Sequence, residues 1–427
     1  MRKIFVLLLG LSMSLSLLAQ NKLQQAVGKG DYIRAKQLLG ESNFIKDSIP
    51  DIPYYFTIAY IYNAMNNAAK SNENLLILSE MNEIKENPQM MFLILSLKAD
   101  NYAKLFDYHN AANTYKKIVD NYANVLGEQT LGYKDTWRRY ETLKDIKPLS
   151  VAIKNSIIPI TRNSKGHLEV QVKTASKKPV SLVFDTGASF SAVSESVAKK
   201  MNLRILSDSF MMGGAMNNIE YAKIAVADQL HLGNVMYKNV IFYVFKDEHF
   251  DFPEENHKIN GALGFPEISA LPLVKIHNKT NVLEISPAKE QSENSNMMFT
   301  SNRQMIISVN DSLLFYLDTG GKWSNLSFNY YNRNKEAIEN IGTASTKVIH
   351  GLGGSKEFPV YKLTDYVVKV GTTTAILPEM NCFAQPTVAL MYEYDGLLGQ
   401  DIISQYDYTL LDFENMYFAL ENIKQSK

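Results

Sequence analysis

Val180-Ser181-Leu182-Val183-Phe184-Asp185-Thr186-Gly187-Ala188-Ser189 is an apolar run that ends in an acidic, glycine-bearing turn. The phrase returns as Leu313-Leu314-Phe315-Tyr316-Leu317-Asp318-Thr319-Gly320-Gly321, at a constant offset (318 − 185 = 133). Both runs are short, apolar and bounded by polar turns, so each reads as a buried strand delivering a carboxylate. Working outward, other landmarks recur in the same order. Leu168, Val170 and Val172 alternate with Glu169 and Gln171 before the first phrase, and Met305 to Val309 with a polar turn at Asn310-Asp311 precedes the second. Downstream, Asn260-Gly261-Ala262-Leu263-Gly264 and Asp395-Gly396-Leu397-Leu398-Gly399 follow their aspartates at nearly equal spacing (264 − 185 = 79, 399 − 318 = 81). Between them lie glycine-rich hairpin candidates at Gly213-Gly214 and Gly351-Leu352-Gly353-Gly354, then strand pairs around Leu232-Gly233 and Val370-Gly371. Such ordered recurrence predicts two homologous β lobes, 151–286 and 301–427. The connection 287–300, rich in Glu, Ser and Asn over Pro287 to Asn296, is the expected linker.

An apolar strand ending in Asp-Thr-Gly, a glycine-tipped hairpin and a downstream apolar-apolar-Gly together resemble the aspartic peptidases, in particular their retropepsin-like branch. Gly351-Leu352-Gly353-Gly354 and Gly396-Leu397-Leu398-Gly399-Gln400-Asp401-Ile402-Ile403 carry the likeness to that branch. The resemblance implies an all-β bilobal fold and an endopeptidase whose catalytic pair is Asp185 and Asp318. Two carboxylates held together cannot both ionise, so one keeps a proton while the other activates water against the peptide carbonyl. It also implies that Thr186 and Thr319 cross-bond the two loops. Gly187 and Gly320 let each loop approach its mate, and Gly264 and Gly399 leave room for the loops to pass. Gly213, Gly214, Gly353 and Gly354 become candidate tips of substrate-covering flaps, with ordinary hairpin turns as the plain alternative. Both lobes occupy one chain, so a single chain is expected to be active. No cofactor or metal is needed, because water is the nucleophile and the acid and base are side chains.

Residues 20–147 have another texture, with apolar residues three and four apart and few glycines or prolines, as in helices. Gly30-Asp31-Tyr32-Ile33-Arg34-Ala35 and Phe106-Asp107-Tyr108-His109-Asn110-Ala111 share an Asp-Tyr-x-x-Ala phrase (107 − 31 = 76), and Tyr54 to Leu78 offers a middle hairpin. This region resembles tetratricopeptide-like repeats, and an unrelated helical bundle is the alternative. Its expected role is to position the enzyme or a protein partner. The fold expectation is therefore a multidomain chain, an all-α helical-repeat region followed by an all-β bilobal aspartic-peptidase fold. Residues 1–19 begin with Arg2-Lys3, continue as an apolar run from Ile4 to Leu18 and end at Ala19, the pattern of a secretory signal peptide. The run is shorter than the ~20 residues that span a bilayer. Export with the single cysteine Cys382, which can form no internal disulfide, points to a bacterial envelope, periplasmic or extracellular.

Lys+Arg and Asp+Glu are both 44, so no net field gathers nucleic acid or an acidic membrane. Hydrophobic residues at 46% against 21% charged exclude global disorder and supply real cores. Metal-ligating residue types between Asp247 and His257 lack a fixed spacing and read as a solvated loop. No Gly-x-Ser-x-Gly elbow, His-Glu-x-x-His helix or phosphate loop is present. Gly321-Lys322 departs from the family pattern, which usually has Ala, Ser or Thr after the glycine. A lysine reaching the dyad would favour its doubly ionised form. The rival expectation is thus a catalytically inactive peptide-binding or scaffold protein using the same groove and the helical repeats.

Overall fold

The computed structural model describes residues 17–40, 49–207, 209–213, 219–252, 257–287, 295–351, 354–387 and 394–422. Residues 1–16 of the expected leader, Gly214, Gly353 and 288–294 of the expected linker lie outside them. The chain divides into two compact units, Met1–Pro148 with Met298–Ser301, and Leu149–Met297 with Asn302–Lys427.

The first unit is helical. Asp51–Ala64 packs on Ala68–Glu80, that helix on Pro88–Lys104, then Tyr108–Asn121 and Thr130–Leu143 follow, each against its predecessor. Chain chemistry sets where the helices begin. The Asp31 and Asp107 carboxylates accept the N–H groups of Arg34 (2.9 Å) and Asn110 (3.1 Å), capping the two helices of the shared phrase. Before each cap stands a left-handed residue, Gly30 (φ 70°) and Phe106 (φ 57°). Asn87 accepts from Gln89 and Met90, with Pro88 in the first turn, where its missing N–H costs nothing. Ala35, Ala59, Ala99 and Ala111 are fully buried, which lets backbones approach while Leu75, Leu78, Phe92, Leu93 and Ile118 fill the space. Inside, Asn63 donates to Asp100 (2.7 Å) and Asn101 (2.8 Å), and Lys104 pairs with Asp100 at 3.1 Å. A buried ion pair needs such added hydrogen bonds to offset the cost of taking its charges out of water.

The second unit is built of sheets, with short helices at the corners. Val180–Phe184 runs antiparallel to Leu168–Thr174 and parallel to Gly261–Leu263. Leu313–Leu317 repeats the arrangement against Met305–Val309 and Gly396–Leu398. The turn between the latter hairpin's strands uses Asn310 (φ 50°) and Asp311 (φ 62°), a type I′ geometry that short polar side chains tolerate. Long hairpins follow in each half. Ile219–Leu232 pairs with Val235–Phe245 around Gly233 (φ 58°), and Gly354–Val370 pairs with Thr373–Phe383 around Gly371 (φ 56°). Gly213 ends a strand, Phe210–Gly213, paired with the first long hairpin, and Gly351 faces Gly354 at the end of Thr343–Gly351.

One pairing crosses between the halves. Leu273–His277 pairs on one side with Val282–Ser286 and on the other with Tyr408–Asp412, which continues to Tyr417–Glu421. The last strands of the chain thus extend a sheet begun by the first lobe instead of staying in their own. Asn278 sits at the seam, its amide donating to the carbonyls of Ile403 (2.9 Å) and Tyr406 (3.1 Å). The Asp247–His257 stretch also departs from expectation. His249 is bonded to Glu220, Phe250 is buried and His257 is buried against Ser164, so apolar and hydrogen-bonded contacts tie parts of it down.

Candidate active site

Each aspartate follows its lead strand and is held there by the strand beside it. Asp185 N–H donates to the Leu263 carbonyl and Asp318 N–H to the Leu398 carbonyl, both at 3.0 Å. The parallel pairing explains the apolar-apolar-Gly landmark, because Leu263 and Leu398 must be buried and extended next to the carboxylate turn. A side chain at Gly264 would meet the Phe190 carbonyl at 2.5 Å, and one at Gly399 the Gly321 carbonyl at 2.9 Å. Glycine is required there by close approach.

Thr186 and Thr319 join the two turns. The Thr319 hydroxyl accepts the Thr186 N–H (3.0 Å) and donates to the Phe184 carbonyl (2.7 Å). The Thr186 hydroxyl accepts the Thr319 N–H (3.0 Å) and donates to the Leu317 carbonyl (2.8 Å). All four groups are buried and all four bonds cross between lobes, so the turns cannot drift apart without orphaning them. Gly187 and Gly320 close the approach. A Cβ on Gly187 would stand 2.5 Å from Asp318 Oδ1, and one on Gly320 would stand 2.5 Å from Asp185 Cγ. Each glycine therefore lies against the other lobe's carboxyl, which brings the two carboxyls close together.

Asp185 Oδ1 accepts from the N–H groups of Gly187 (2.8 Å) and Ala188 (3.0 Å). On the other turn the Gly321 N–H donates to the Asp318 main-chain carbonyl (3.2 Å), and the Gly320 and Gly321 amides favour the charged form of the Asp318 carboxyl. Both aspartates keep part of their surface open, yet interior atoms surround them. Burial pushes both carboxyls up from the ordinary range, and for Asp318 the neighbouring Asp185 charge adds to it, while the backbone donors pull the other way. One proton is thus retained by the pair to higher pH than an isolated aspartate would keep it. Lys322 is exposed, with its ammonium 4.8 Å from the Trp323 ring centroid.

Behind the turns lies a second matched set that the sequence reading overlooked. Ser191 accepts the Gly264 N–H (2.8 Å) and donates to Glu267, while Ser324 accepts the Gly399 N–H (2.9 Å) and donates to Asp401 (2.6 Å). These residues fix the closing strands relative to the aspartate turns. The offsets 324 − 191 = 133 and 401 − 267 = 134 carried the signal, had the duplication been followed past the glycines. Burial raises Glu267 to about 7 against the pull of the Ser191 hydroxyl, and raises Asp401 against the Ser324 bonds. Gln400 adds a link of its own, donating to the Thr319 carbonyl (2.8 Å) and accepting from Arg162 (3.2 Å) of the first lobe. Of the candidate flap residues, Gly213 and Gly354 lie on strand ends. Among the described residues, no three His, Cys, Asp or Glu side chains are grouped to hold a metal.

Residues 170–266 match the family model described as aspartyl protease, a stretch that includes Asp185 and ends before Asp318. No curated protein sequence matches the chain. Among solved structures, similarity extends to basic 7S globulin from soybean, at 11% identity and a TM-score of 0.38, covering 63% of this chain and 95% of that one. Conglutin gamma from lupine seeds is similar at 10% identity and a TM-score of 0.36, covering 62% and 93%.

Proposed function

We propose that the chain is an aspartic endopeptidase hydrolysing peptide bonds with water activated between Asp185 and Asp318. The observation that carries this reading is the reciprocal fit of the two turns, in which each glycine lies against the opposite carboxyl and each threonine bonds across. A singly protonated pair supplies both functions the reaction needs. The ionised carboxylate takes a proton from water as the oxygen attacks the substrate carbonyl, and the protonated partner donates to the developing oxyanion. Collapse of the tetrahedral intermediate returns a proton to the leaving amine. The Gly187 and Ala188 N–H groups hold the Asp185 carboxyl in orientation without spending a side chain.

The reading extends to retropepsin-like ancestry and to export into a bacterial envelope, on the strength of the leader pattern. It also gives the helical unit, as a tetratricopeptide-like array, a role in positioning a protein partner. The deciding experiment incubates the purified mature chain with denatured protein, beside Asp185→Asn and Asp318→Asn. Hydrolysis by the parent and losses of several orders of magnitude in both variants, with thermal unfolding intact, are expected. Undiminished cleavage in either variant would remove the dyad, and a folded but inert parent that still binds peptide would favour a groove without chemistry.

A further inference from the structure

The first lobe leaves its aspartate turn through Ser189-Phe190 and the second through Lys322-Trp323, each aromatic standing at the same step past its aspartate (190 − 185 = 5, 323 − 318 = 5). These equivalent positions have unlike surroundings. The Phe190 ring lies 4.4 Å from the ring of Tyr243, which lies 5.9 Å from Phe210 on the strand ending at Gly213. That corner is aromatic throughout. Trp323 is 50% exposed, and two ammonium groups flank its ring, Lys322 at 4.8 Å and Lys347 at 5.2 Å from the centroid.

Lys347 belongs to Thr343–Gly351, one arm of the second glycine-tipped hairpin. Directly opposed residues of an antiparallel pair share a face, and here Lys347 opposes Phe358 while Ile349 opposes Lys356. Glu357 opposes Val348 on the other face and is engaged by the Thr346 hydroxyl at 2.6 Å. Neither Lys322 nor Lys347 pairs with a carboxylate among the described residues. An aromatic face attracts a cation but leaves its outer hydrogens to solvent or to an anion. Five residues past Asp318, in a chain with no net charge, two ammonium groups thus stand on one apolar platform, while the nearby Asp401 carboxylate is engaged by Ser324.

We propose that Lys322, Trp323 and Lys347 form a subsite for an acidic side chain of the peptide, on the second-lobe side of the scissile bond. The ring packs against the methylene stem of a glutamate or aspartate, and the two ammonium groups meet its carboxylate. The Phe190 corner, where no ammonium stands over a ring among the described residues, receives the uncharged side chain on the other side. This specificity rests on the reading of Asp185 and Asp318 as the place where peptide is cut.

The test uses one cleavable peptide with Glu, Gln or Lys placed in turn at three positions on either side of the bond. Substrates are compared with the full chain, K322Q/K347Q and K322E/K347E. An exposed ion pair is worth about 1.5- to 5-fold in an equilibrium constant, so two predict a roughly five-fold Glu-over-Gln ratio in kcat/KM at one position. That ratio should shrink with added salt, fall to near one in the glutamine variant and turn to favour Lys in the glutamate variant. No position preferring Glu, or a ratio that both variants leave unchanged, overturns the proposal. If the parent cuts no peptide, the same labelled peptides are read by fluorescence anisotropy. The peptidase reading then fails by itself, while the acidic preference stands or falls on the ratio of Kd values, and absence of any binding overturns it.

Discussion

Gly320→Ala tests the geometry of the paired turns at its tightest point. The added Cβ would sit 2.5 Å from Asp185 Cγ and 2.6 Å from both carboxylate oxygens, whereas ordinary contact begins at 3.4 Å. Something must therefore move by 3.4 − 2.5 = 0.9 Å. Asp185 is a short side chain tied to the N–H groups of Gly187 and Ala188, so it cannot swing aside without breaking those bonds. The alternative is for the turns to part, which strains the buried threonine crossings. A displacement of about 1 Å at reacting groups costs roughly 10²-fold in rate, equivalent to about 2.7 kcal/mol of barrier. Measured as kcat/KM on a fluorogenic peptide, Gly320→Ala and Gly187→Ala should each fall about a hundredfold or more, with circular dichroism retained. Gly132→Ala provides the control, since a Cβ there meets nothing within 4 Å and the position lies inside the helix Thr130–Leu143. It should leave the rate alone and stabilise the helix by roughly 0.5–1 kcal/mol. A folded Gly320→Ala variant within threefold of the parent would refute the close approach of the lobes.

Thr186→Val leaves the Thr319 N–H and the Leu317 carbonyl without partners, and should destabilise the β unit by roughly 2–5 kcal/mol in denaturant titration. A loss below about 1 kcal/mol would argue against the crossing. Burial raises the carboxyl pair against the pull of its backbone amides, so the pH profile of kcat/KM should peak in weakly acidic to near-neutral solution. A maximum in strong acid, with activity gone before neutrality, would contradict it. Glu267 titrates at about 7 when folded, above its ordinary 4.5, so the folded state binds the extra proton. Stability is then fully present below about 4.5 and lost as pH rises through about 7, by on the order of 3 kcal/mol for this group. Glu267→Gln keeps the acceptor for Ser191 and should flatten that part of the profile, and an unchanged slope in urea melts at pH 5 and 8 would exclude Glu267 as its source.

What could be read from residues alone follows from how local each signal is. Val180–Phe184 and Leu313–Leu317 declare themselves because strand apolarity and the acidic turn are contiguous, and one duplication checks the other. The Asp-Tyr-x-x-Ala phrase at Asp31 and Asp107 was legible for the same reason, since the cap that it forms joins residues only three apart. Ser191 and Ser324 went unremarked because serine is common and acquires meaning only when the closing glycine, far along the chain, is brought to it. Pairing of Tyr408–Asp412 with Leu273–His277 was not legible at all. Strand register between distant segments is decided by packing and by bonds such as those of Asn278, and no spacing rule announces it.

That crossing sheet also bears on the order in which the molecule can come alive. Thr409 lies opposite Ile276, a partner synthesised much earlier (409 − 276 = 133). During synthesis from the N-terminus, the helical unit and most of the first lobe can condense while the second aspartate is still being made, since domains generally fold as their residues emerge. The seam that holds the halves together waits for the final strands, through Glu421. A chain interrupted even a few residues before that point would carry both Asp-Thr-Gly phrases and still lack the outermost strand of the seam. Joining of the two halves, on this account, is a late event in folding that follows the making of both aspartate turns.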